Sequence, residues 1–160
     1  MNVEEKPKNV WLFDLETIFN CFTMVCRRVD SKEYLTFVIH EPLEGMHGEF
    51  RNDFSELMGF LDSRPAFIGF NNLNFDGQII EYIYRERIDK ATKIYDFAQQ
   101  CIERTNVNPW DTPYYPGSLT FNHLDLFKMN HYDKREKDED GENRQTSLKW
   151  LEFTLRWKHL

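Results

Sequence analysis

The sequence predicts an α/β fold: a mixed sheet, made of an antiparallel three-strand meander plus parallel strands, flanked by helices. Three observations carry this. The segment Val10-Trp11-Leu12-Phe13 is continuously apolar, as a strand buried on both faces would be. Two runs rich in β-branched and aromatic residues follow it around a short polar turn. Beyond them, apolar residues at helical spacing alternate with short strand-like runs, the signature of crossover connections.

The first run leads directly into Asp14-Leu15-Glu16, which puts acidic residues at its end. Phe22 to Val29 and Tyr34 to Ile39 read as the second and third strands, separated by Asp30-Ser31-Lys32. Phe50, Phe54, Leu57, Met58 and Leu61 recur at helical spacing and stop near Ser63-Arg64-Pro65, which predicts a crossover helix. Ala66 to Phe70 is a short apolar strand, and Asn71-Asn72-Leu73-Asn74 turns into a second helix marked by Ile79, Ile80 and Ile83. A further helix is expected over Lys90 to Arg104, then a Pro-rich loop from Asn106 to Gly117 and a strand from Leu119 to Phe127. Asn130 to Gln145, dense in mixed charge, reads as a solvated excursion, and Leu148, Leu151 and Leu155 mark a helix with Thr146 or Ser147 as its N-cap. No internal repeat is visible.

At 160 residues, with 41% hydrophobic and 16% aromatic content, the chain can bury one core, so residues 1–160 are read as a single domain. Its three cysteines, Cys21, Cys26 and Cys101, form no C-x-x-C pair, which argues against a disulfide framework or structural zinc and for a reducing, intracellular setting. No apolar run approaches the roughly 20 residues that span a bilayer, and the N-terminus lacks the stretches of a signal peptide; the expectation is a soluble, cytoplasmic protein without a membrane partner. A formal net charge of −7 weighs against nucleic-acid binding through Lys and Arg. It leaves open a site that meets phosphate through divalent cations, or a single strand held by aromatic stacking.

Side chains alternate across a strand, so Asp14 and Glu16 share one face with Cα atoms about 6.6 Å apart, close enough for their carboxylates to converge on a metal ion. An Asp-x-Glu among 27 acidic residues means little by itself, but this pair ends the most hydrophobic strand, where buried charges have to be paired or metal-bound. Asp76, three residues before Ile79, shares the inward face of its helix rather than serving only as a first-turn acid favoured by the macrodipole. The five histidines, His40, His47, His123, His131 and His159, show no paired metal spacing.

Phe13-Asp14-Leu15-Glu16-Thr17 and Phe70-Asn71-Asn72-Leu73-Asn74-Phe75-Asp76-Gly77 resemble the first two motifs of the DEDD (DnaQ-like) 3'-5' exonucleases, the second being the more specific. Within that superfamily the chain is most similar to the proofreading domains of family B, protein-primed phage DNA polymerases. Leu124-Asp125-Leu126-Phe127-Lys128 and Ser147-Leu148-Lys149-Trp150-Leu151 also look like stretches that follow the second motif. The resemblance implies an RNase H-like fold in which Asp14, Glu16 and Asp76 are the catalytic acids and hold two divalent metal ions, Mg or Mn. It implies hydrolysis at the 3' end of single-stranded DNA, a polymerase domain or subunit as partner, and the host cytoplasm as the setting of a phage-encoded chain. Thr17 would contact the terminal nucleotide, and Asn72 and Phe75 would position and stack the frayed strand. A turn hydroxyl, a loop Asn and a core aromatic are the ordinary readings of the same three residues. Leu126 would be a wedge-like ligand of the 3' end, although Asp125 stands where related polymerases carry Ser or Thr.

The family's third motif has a catalytic Asp preceded by Tyr four residues earlier or by His five earlier, and neither spacing occurs in this chain. The expectation is therefore a domain cut short at its C-terminal end. A non-catalytic fragment that binds a nucleic-acid end or a partner protein is the competing reading. A phosphatase with an Asp nucleophile at a strand end ranks lower, because it wants a second Asp where this chain has Glu16.

Overall fold

The computed structural model describes residues 9–108 and 111–131. Five strands form one mixed sheet in the order β3-β2-β1-β4-β5. β1 (Val10–Ile18), β2 (Cys21–Arg28) and β3 (Tyr34–His40) are the antiparallel meander; β4 (Ala66–Gly69) lies parallel to β1, and β5 (Asn122–Asp125) parallel to β4. The helices are α1 (Phe54–Asp62), α2 (Asp76–Glu86), α3 (Ala91–Val107) and α4 (Leu126–His131), with a 3-10 turn at Pro116–Ser118.

Alternation along the strands builds the core. Trp11, Phe13 and Leu15 of β1, Phe22, Met24 and Cys26 of β2, and Phe37 and Ile39 of β3 are buried in one cluster. The apolar faces of three helices close it: Leu57 and Leu61 of α1, Ile79 and Ile83 of α2, Ile94 and Ala98 of α3. Phe67 of β4 is its aromatic hub, with ring centroids 4.6 Å from Phe13, 5.7 Å from Phe121 and 6.2 Å from Phe60. Truncating such a ring to Ala typically costs about 3–5 kcal/mol.

Several expected boundaries differ, among them the start of the last strand, Asn122 rather than Leu119, and the end of α3, Val107 rather than Arg104; two others bear on the site. β1 does not end at the acidic residues: its pairing with β2 continues to Ile18↔Cys21, so Asp14 and Glu16 lie inside the strand. The last strand stops at Asp125, and Leu126 and Phe127 begin α4 instead, because the Asp125 carboxylate accepts the backbone N–H groups of Phe127 and Lys128 at 2.9 and 3.4 Å, an N-cap geometry. The charged stretch after His131, the Ser147 helix and Trp110 lie outside the described residues.

Candidate active site

The parallel part of the sheet decides where the acids stand. β1 pairs with β4 only over Val10–Leu12; beyond Leu12↔Ile68 the two strands part while β1 keeps its pairing with β2. The strand order reverses at this β1–β4 junction, and crevices beyond the carboxyl ends of parallel strands at such a reversal are where open α/β sheets bind ligands. Asp14 and Glu16 continue past the fork on the exposed face of β1, opposite the buried Phe13 and Leu15. Chain leaving β4 turns through Asn71–Phe75 and enters α2 at Asp76, at the same end of the sheet.

Asp76 retains only 8% of its accessible surface. Burial, foremost, and then the negative charge of Asp14 raise its carboxyl from the ordinary 3.8 to about 7; Asp125 and Glu16 add to the rise, and a hydrogen bond from its own backbone N–H opposes it. Two segments far apart in sequence therefore act on one another electrostatically. Their chemistry, hard carboxylate oxygens with excess negative charge, suits Mg or Mn. Among the described residues, no three His, Cys, Asp or Glu side chains are gathered into a group that could hold an ion.

The turn that presents Asp76 is tightly built. Asn71 adopts a left-handed conformation, φ 57°. The Gly77 N–H donates to the Asn72 carbonyl at 2.6 Å, and a Cβ at Gly77 would lie 2.6 Å from that oxygen and 3.1 Å from the His123 ring, so only glycine fits. Asp125 accepts the N–H groups of Asn71 at 2.9 Å and Leu73 at 3.1 Å. Asn72 is fully buried, its amide nitrogen 3.4 Å from both the His123 Nδ1 and the Leu124 carbonyl, so the side chain expected to position a single strand is turned inward against β5. Among the described residues, the Asn72 Oδ1 and His123 Nε2 atoms are buried without a hydrogen-bond partner. Burial also pushes the His123 imidazole down to about 4, keeping the ring neutral at physiological pH.

The other expected contacts are distributed unevenly. Thr17 is half-buried and alternates with Glu16, so it takes the core-side face of β1 and not the face of the acids. Phe75 is half-buried and packs against the core at the N-cap of α2. Leu126 is half-buried as the first residue of α4. Sequence reasoning missed two buried polar residues on α2. Gln78 donates to the Leu73 and Tyr114 carbonyls at 2.8 and 3.0 Å and accepts the Tyr114 N–H at 2.7 Å. Glu81 pairs with Arg85 at 2.6 Å and accepts the N–H groups of Thr120 and Phe121. Helical spacing puts both on the side of α2 away from Ile79, Ile80 and Ile83, so no local pattern signalled their burial, which comes from the chain around Tyr114 and Thr120 packing over that side.

Compared with known protein families, curated proteins and solved structures, the chain shows no significant match. The fold itself is α/β, with a five-strand sheet of parallel and antiparallel pairs flanked by helices. No helix among the described residues is long and apolar enough to cross a membrane.

Proposed function

We propose that this chain carries the metal-binding acids of a 3'-5' exonuclease of the RNase H-like kind, acting on the 3' end of single-stranded DNA in proofreading beside a polymerase domain or subunit. The observation that carries the reading is placement: Asp14 and Glu16 share the exposed face of β1 at the end of the sheet where the chain leaving β4 enters α2 with the buried Asp76, whose carboxyl is raised by burial and then by the charge of Asp14. The antiparallel meander followed by parallel β4 and β5 supports the RNase H-like part.

Asp14, Glu16 and Asp76 would hold two divalent ions, which when bound make a water nucleophilic and stabilise the leaving alkoxide of a phosphodiester. Asp76 keeps its proton below about pH 7 and becomes a full ligand above it, so cation binding should strengthen as pH rises through that value. Thr120, Tyr114 and the intervening 3-10 turn, fastened to α2 by Glu81 and Gln78, hold the following loop on the same scaffold as Asp76. Binding of the end without turnover is the second reading, favoured by the lack of an ion-holding group of acids among the described residues.

Calorimetric titration of the 160-residue chain with Mn tests the site. Weak binding that is lost in Asp14→Ala and Asp76→Asn supports it; the same titration curve for wild type and both variants would remove it. Release of mononucleotides from a 3'-labelled single strand then separates the two readings, since binding without release is the outcome of the second.

A further inference from the structure

Asp125 is buried to 4% exposure at the end of β5, and both of its oxygens are taken by backbone N–H groups: Oδ1 by Asn71, Phe127 and Lys128, Oδ2 by Leu73. One carboxylate thus joins the start of α4 to the turn after β4. That turn ends at the Asp76 helix, and its middle residue, Asn72, receives the Gly77 N–H at 2.6 Å. The chain of contacts runs from Asp125 through the Asn71–Leu73 backbone to the first turn of α2, with Asp76 at its end. A neutral hydroxyl could accept one of these N–H groups; only a carboxylate offers acceptors in both directions with none of its positions a donor.

Resting on the metal-site reading above, we propose that Asp125 is a positioning residue for that site: it clamps the Asn71–Leu73 turn, and so fixes where the Asp76 carboxylate stands relative to Asp14 and Glu16. Asp125 acts through the turn, since both of its oxygens accept backbone N–H groups. An Asn at this position would turn an NH2 group toward one of the N–H donors and release one end of the clamp.

The test is Mn affinity of wild type and Asp125→Asn by calorimetry, at a temperature where circular dichroism shows both folded. Partners that orient metal ligands typically change affinity about 10- to 100-fold, and a loss in that range is expected here. A merely structural role would lower the unfolding midpoint and leave the affinity of the folded chain unchanged, and that result would overturn the proposal. Should Asp125→Asn fail to fold, backbone hydrogen exchange on the wild type decides: slower exchange of the Asn71 and Leu73 amides with Mn bound supports the clamp, and unchanged exchange overturns it. A wild type that binds no Mn removes the metal-site reading itself and this inference with it, and is distinguished by failing before any variant is compared.

Discussion

Gln78 pairs with the backbone of Tyr114 in both directions, its Oε1 accepting the Tyr114 N–H at 2.7 Å and its Nε2 donating to the Tyr114 carbonyl at 3.0 Å. One side-chain amide thereby does for the loop after α3 what a neighbouring strand does for a strand. The same Nε2 reaches the Leu73 carbonyl at 2.8 Å, tying that loop to the turn before Asp76.

Gln78→Ala should therefore destabilise the chain by about 2–4 kcal/mol, from a buried void plus unpaired backbone groups. Urea unfolding measures the loss. Limited proteolysis should show new cutting between residues 111 and 118, and an unchanged cleavage pattern would count against the clamp.

Asp76 and His123 should give opposite pH dependences. Asp76 is raised from 3.8 to about 7 on folding, so the native state binds the extra proton in that window and stability falls as pH rises through it, then levels off. His123 is lowered from 6.5 to about 4, so the unfolded state binds the extra proton and stability rises with pH between those values. Each slope is at most about 1.4 kcal/mol per pH unit, and they nearly cancel in the wild type. In Asp76→Asn, stability should rise from about pH 4 to 6.5; in His123→Phe it should fall from about pH 4 to 7. Denaturant titrations across that range provide the check, and parallel profiles for the two variants would refute it.

Asp14→Asn should lower the Asp76 titration midpoint, because removing a neighbouring negative charge makes ionisation easier. Carboxyl-carbon NMR reads this directly. A midpoint that stays near 7 would mean that Asp14 does not act on Asp76.

Two glycines should respond with opposite sign. Gly77→Ala forces a Cβ to within 2.6 Å of the Asn72 carbonyl oxygen and should cost about 1–3 kcal/mol, while also weakening Mn binding. Gly59 is exposed inside α1, and a methyl group there would meet no atom of the described residues within 4 Å, so Gly59→Ala should stabilise by roughly 0.5–1 kcal/mol. Thermal unfolding of the pair is sufficient.

Much of this was legible along the chain. The apolar run at Val10, the alternation through Phe22 and Tyr34 and the helical spacing of Leu57 and Ile79 each depend on a few neighbouring residues, and backbone stereochemistry turns those spacings into strands and helices without reference to anything distant. The shared face of Asp14 and Glu16 and the inward direction of Asp76 follow from the same local geometry. Element ends were read less well: α4 begins at Leu126 because Asp125 caps it, a choice between strand and helix that apolar content alone does not make.

What only the tertiary structure decided is where the polar groups find partners. Nothing near Asn72 in sequence says that it will be buried against His123, and nothing near Asp125 says that it will hold a turn 54 residues away, or near Gln78 that it will hold a loop 36 residues away. The raised Asp76 carboxyl has the same origin, since it needs β1 and β4 side by side so that the chain after β4 brings Asp76 within electrostatic reach of Asp14. Periodicity is written in short spans of sequence, whereas burial of a charge or an amide is a property of the space the whole sheet encloses, and that space exists only once β1, β4 and β5 lie side by side.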